Sequence, residues 1–88
     1  MDLQDRLITL IERSGMTPTE LERQTSIDRM RWSNVKRRAI RAGGDHVEAA
    51  ANLWPTYAYW LVTGKTLPEA GQISPELEET REKLERAG

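Results

Sequence analysis

The chain has no cysteine and a single histidine. The first absence excludes a disulfide framework and any thiolate metal site, and one imidazole cannot assemble a zinc cluster on its own. Nothing in the composition implies a metal or a cofactor. Long hydrophobic runs are missing as well: no stretch approaches the roughly 18 apolar residues of a membrane span. Asp2 and Asp5 spoil the N-terminus as a signal peptide, which leaves the cytoplasm as the expected compartment and a membrane partner as an unexpected one. There is no Gly-rich phosphate loop, and no nucleophile or carboxylate is spaced to work with the lone His46. That pattern argues against an enzyme, and no small-molecule pocket is signalled. Strand-type alternation does not occur either, so an all-α fold is expected.

What the chain does have is charge, arranged in blocks. Its 88 residues carry a net −1, yet residues 1–44 hold nine basic and six acidic groups while residues 45–88 hold four and eight. Six of the thirteen basic residues fall within "RMRWSNVKRRAIR", from Arg29 to Arg41, and no acid follows Asp28 until Asp45. Past Asp28 the cations therefore have no acid interleaved among them in the sequence, which points to a free basic face.

Helix signals divide the chain cleanly. Leu3, Leu7, Leu10 and Ile11 recur at helical spacing, and Ser14-Gly15 closes that segment. In "TPTE", Thr17 is a helix cap, Pro18 fits the first helical position and Glu20 completes a capping box; the helix runs to about Thr25. A short turn leads to Asp28, the cap of a third helix over 28–37. At 100° per residue its inner side takes Trp32 and Val35, with Asp28 near them and Arg31 at the border. Arg29, Met30, Ser33, Asn34 and Arg37 fall on the opposite side. After Gly43-Gly44, "DHVE" offers Asp45 as a fresh cap with Glu48 three residues on, and Val47, Ala50, Leu53 and Trp54 form an apolar face. A fifth short helix carries Tyr57, Trp60 and Leu61 to Gly64, with Tyr59 off that side and open to a second subunit. "KTLPEAGQ" reads as a linker. Ser74 and Pro75 start a last helix, through Gly88, whose only large apolar residues are Leu77 and Leu84. Residues 1–64 thus form one domain, 65–73 a linker and 74–88 an acidic C-terminal helix.

Two short helices joined by a tight turn, the second with an exposed basic and polar side, fit a helix-turn-helix laid in the DNA major groove. The residue types suit base reading: arginine recognises guanine bidentately, asparagine adenine, methionine a thymine methyl, and serine either base edges or phosphate. "TPTELERQTSIDRMRWSNVKRR" resembles the helix-turn-helix of the Cro/C1-type (XRE) repressor family, and "YWLVTG" at Tyr59 to Gly64 is similar to that family's fifth-helix ending. The resemblance covers about residues 3–64. It implies a compact five-helix lambda-repressor-like fold, here with an additional C-terminal helix, acting as a homodimer on double-stranded operator DNA. It also implies Leu21, Ile27, Trp32 and Val35 in the core, and Asp28, Arg29, Met30 and Asn34 facing the groove. With Ser33 these are the candidate base-contacting residues; Arg31, Lys36, Arg37, Arg38 and Arg41 are the candidate phosphate contacts. The chain departs from the family pattern at Glu22, where a small alanine is usual, and at Ser26 and Arg38, where glycine is. The expected activity is transcriptional regulation, most simply repression by a small phage-type repressor. The alternative is a protein-interaction module, an antirepressor or adaptor, using the same fold without specific DNA binding.

Overall fold

The computed structural model describes residues 1–87; Gly88, the last residue of the expected C-terminal helix, lies outside them. The order is α1 (Leu3–Ser14), α2 (Pro18–Thr25), α3 (Arg29–Lys36), α4 (Gly44–Leu53), α5 (Ala58–Thr63) and α6 (Pro75–Ala87), with 3-10 turns at Pro55–Tyr57 and Pro68–Ala70. No strand forms among the described residues. None of these helices is long and apolar enough to cross a membrane.

Local chemistry starts most of these helices. Asp2 caps α1 in a reciprocal box with Asp5, and Thr17 caps α2 in another with Glu20, behind Pro18. Each box satisfies N–H groups that a helix start leaves without partners. Asp28 Oδ1 accepts the Met30 N–H at 3.3 Å to open α3. Ser74 Oγ accepts the Leu77 N–H at 3.0 Å to open α6.

The start of α4 differs from the expectation. Its N-cap is Gly43, not Asp45, and the Gly43 N–H donates to His46 Nδ1 at 3.1 Å. Asp45 lies inside the first turn, where a carboxylate still complements the helix dipole. The end of α5 is closed by an arginine from across the fold. Arg6 donates from Nε to the Leu61 carbonyl at 2.8 Å and from Nη2 to the Val62 carbonyl at 3.4 Å. Gly64, at φ +75°, completes that end; a Cβ there would stand 3.3 Å from Arg6 Nη1. Glycine serves both needs, left-handed backbone and a close guanidinium.

Leu7, Leu10, Ile11, Leu21, Trp32, Val35, Ala50 and Leu61 form the core, drawn from all of the first five helices. The helix pairs α2 with α3, α1 with α3, α1 with α5 and α4 with α5 pack against one another around it. Trp54, Tyr57 and Trp60 are half-buried against its edge. His46, for which the sequence signals no role, is a core residue with 0% exposure. Its ring stands edge-on to Trp32, centroids 4.8 Å apart.

Residues 65–73 are tied to the domain by specific bonds. Leu67 and Gln72 exchange backbone hydrogen bonds at 2.8 and 3.0 Å, and the Gln72 side chain accepts the Tyr59 N–H and donates to the Pro55 carbonyl, each at 3.0 Å. Ile73, Ser74 and Pro75 are buried, which seats the first turn of α6. An Arg13–Glu79 ion pair adds a tie from α1. Beyond it, residues 79–87 are exposed, Leu84 included.

Candidate nucleic-acid interface

The candidate face is built by α3, and three features of α2 fix its direction. Leu21 is buried beneath it. Thr25 Oγ1 accepts the Trp32 indole N–H at 3.1 Å while donating to the Leu21 carbonyl at 2.6 Å, so the buried indole keeps its hydrogen bond. Glu22, through Oε2, accepts the Arg29 N–H at 3.0 Å, supplying a partner for the first turn of α3. With Trp32 and Val35 both at 0% exposure, the opposite side of the helix is left outward.

The turn between α2 and α3 depends on an uncommon backbone. Ser26 has φ 64°, and Arg38, just past α3, has φ 65°; they are the two non-glycine residues with positive φ among the described residues. Both are positions where the sequence departs from the glycine usual in the family it resembles. The side chains are accommodated in the left-handed region, at a cost of about 1 kcal/mol each. The departure at Glu22 also has a structural use, since its carboxylate joins α2 to α3.

The candidate base-contacting residues are close together on the α3 surface but differ in freedom. Met30 is 61% exposed. Arg29 is exposed, its Nε 3.7 Å from Glu22 Oε1. Asp28 is occupied in capping, and Ser33 and Asn34 are half-buried. Asn34 Oδ1 accepts from Arg37 Nη2 at 2.6 Å, while its carbonyl accepts the Ala39 and Ile40 N–H groups at 2.8 and 3.3 Å. Gln4 of α1 supports the same region, its Nε2 donating to the Val35 carbonyl at 3.1 Å and to the Ile40 carbonyl at 2.8 Å.

The expectation of basic residues without acidic partners is corrected by the structure. Three carboxylates arrive from three other helices: Glu22 of α2 at Arg29, Asp45 of α4 at Arg31, and Asp5 of α1 at Arg38, Oδ1 2.5 Å from Nη2. Arg31 is held by two bonds, Nη1 to Asp45 Oδ2 at 2.7 Å and Nη2 to Oδ1 at 3.3 Å. All these groups are partly exposed, so each pair is a modest contributor to stability. Lys36, Arg37 and Arg41 are exposed and have no ion pair among the described residues.

These pairings show in the protonation equilibria. The Arg31 guanidinium holds the Asp45 carboxyl below its ordinary value. Asp5 is lowered first by the Asp2 N–H and then by Arg38. His46 is lowered by burial, which outweighs the pull of the neighbouring Asp45 carboxylate toward the charged form. Its Nδ1 takes the Gly43 N–H, and its Nε2 is buried without a hydrogen-bond partner among the described residues. Sequence reasoning missed His46 and the structural use of Asp45; the signal available was the Gly43-Gly44-Asp45-His46 run, which holds both.

Among the described residues no cluster of three or more potential ligands could hold a metal ion. No family model matches the chain, and a search of curated proteins found no match. Solved structures do match. The protein Pf6r from the filamentous phage Pf6 of Pseudomonas aeruginosa PA01 is 38% identical, aligned over 100% of both chains with a TM-score of 0.87. At that identity and full mutual coverage, the chain belongs to the same family as the phage protein Pf6r.

Proposed function

We propose that this chain is a sequence-specific DNA-binding regulator of phage type, a repressor that occupies operator double-stranded DNA through α3. The observation that carries the reading is the orientation of that helix: Trp32 and Val35 are wholly buried while Arg29, Met30, Lys36 and Arg37 are exposed. In this reading α2 and α3 are a helix-turn-helix of the lambda-repressor-like, Cro/C1 kind. Arg29, Met30, Ser33 and Asn34 read base edges, with Asp28 at the start of the helix. Lys36, Arg37 and Arg41, with Arg31 and Arg38, meet phosphates. Similarity to a protein of a filamentous phage supports the phage type of this reading. A homodimer would present two copies of α3 to half-sites about 34 Å apart, or a multiple of that spacing.

The second reading, a protein-interaction module, draws on an open groove between the α2–α3 turn and α4. Ile27, Ala49 and Leu53 line it, with Asp45 and Glu48 beside them. Selection of bound duplexes from a random DNA pool, followed by titration over salt, separates the two readings. The DNA reading expects a recovered motif, and Lys36→Ala should weaken all duplexes alike and reduce the salt slope by about one unit. Absence of binding at low salt, where nonspecific affinity is greatest, refutes the DNA reading in favour of the interaction module.

A further inference from the structure

Arg31 stands at the border of the exposed face, and its guanidinium is gripped by α4. Asp45 accepts two of its N–H groups, and a guanidinium has five in a fixed plane, so three remain on a side chain that is 47% exposed. The carboxylate is itself anchored. Asp45 Oδ1 also accepts the His46 N–H at 2.9 Å, and His46 is buried edge-on against Trp32 of α3. The orientation of the guanidinium is thereby referred back to the core through Asp45, His46 and Trp32.

Gly43 gives a second, independent sign that the pair has a reserved place. Its φ of −88° and ψ of 172° are open to any residue, so backbone freedom does not explain a glycine there. Space does. A Cβ at this position would stand 2.8 Å from Asp45 Oδ1, so the carboxylate would have to shift, and 3.9 Å from Arg31 Nη2, an ordinary contact.

We propose that Asp45 is a positioning residue for DNA binding: it fixes the Arg31 guanidinium so that the remaining donors engage a backbone phosphate, and Gly43 keeps the space the pair occupies. The inference rests on α3 being the DNA-binding face. It has an unusual sign, because a carboxylate beside a polyanion otherwise repels it. If Asp45 only repels, its neutralisation strengthens binding and steepens the salt dependence; if it positions Arg31, neutralisation does the reverse.

The test uses the full chain carrying Asp45→Asn, Gly43→Ala, Arg31→Ala or Arg31→Ala with Asp45→Asn, each titrated with a random-sequence duplex and a duplex recovered by selection. Tryptophan fluorescence melts set a temperature at which every variant is folded. Asp45→Asn is expected to bind the selected duplex about tenfold more weakly and to lower the salt slope on the random duplex by about one unit. Gly43→Ala, which leaves net charge unchanged, shifts affinity the same way, and Asp45→Asn adds nothing once Arg31 is alanine. Tighter or unchanged binding, or a steeper slope, for Asp45→Asn overturns the proposal. If the unmodified chain binds neither duplex at low salt, the DNA reading fails and takes this inference with it. Normal wild-type binding with an indifferent Asp45 overturns the positioning role alone.

Discussion

Two parts of this molecule are highly charged, the α2–α3 pair and α6, but they are held in different ways. The first contributes Leu21, Trp32 and Val35 to the core and is cross-linked by Thr25 and Glu22. The second is seated only at its start, through Ile73, Ser74, Pro75 and the Arg13–Glu79 pair, and its last turns are exposed. Charge content does not distinguish them. What does is whether a large apolar side chain occurs where the helix meets its neighbours, and whether polar bonds then fix the contact.

The strongest way to break the contrast is Trp32→Ala. Removing a wholly buried indole should cost about 3–5 kcal/mol in denaturant unfolding, and Thr25 would lose its partner as well. An unchanged midpoint would show that the pair does not depend on this residue.

Acid should act next, first through His46, which packs against Trp32 of that pair. Burial lowers the folded-state pKa of His46, so folding favours its neutral form and the unfolded chain binds the extra proton first. Its contribution is present above about pH 6.5, the ordinary histidine value, and is lost as pH falls below it. Asp5, Asp45 and Glu79, all lowered by hydrogen bonds and ion pairs, withdraw their contributions only below about pH 4, the ordinary carboxylate range. Melting temperature should therefore decline in two stages, and His46→Gln should remove the upper one.

The smallest effect is expected at the other end. Leu84 is 68% exposed, and Leu84→Ala should change stability by less than about 0.5 kcal/mol. A larger loss, growing with protein concentration, would mean that α6 is covered by a second copy in solution.

Much of the helical plan was legible because its signals are local. Thr17-Pro18-Glu20, Asp28 and Ser74-Pro75 mark helix starts within a few residues, and the angular spacing of Trp32 and Val35 identified the buried side of α3. The acids around the arginines were not legible. Asp5 and Arg38 lie 33 positions apart, and Arg31 and Asp45 lie 14 apart, so only the folded chain brings them together. The burial of His46 was not legible for a related reason. A single polar residue in a first turn has no periodic signature; its burial follows from the ring of Trp32 above it and the N–H of Gly43 beside it. Ser26 and Arg38 had the opposite fate: their positions in the turns were readable, and serine tolerates many turn geometries, but nothing local marked Arg38 for positive φ.

The Gln4 amide that bonds the Val35 and Ile40 carbonyls has one more effect. It joins the end of α3 and the basic segment after it to the first helix, so that Lys36, Arg37 and Arg38 emanate from a braced backbone instead of a wandering loop. A partner meeting that surface finds the main chain already arranged, and less conformational entropy is surrendered at the moment of contact.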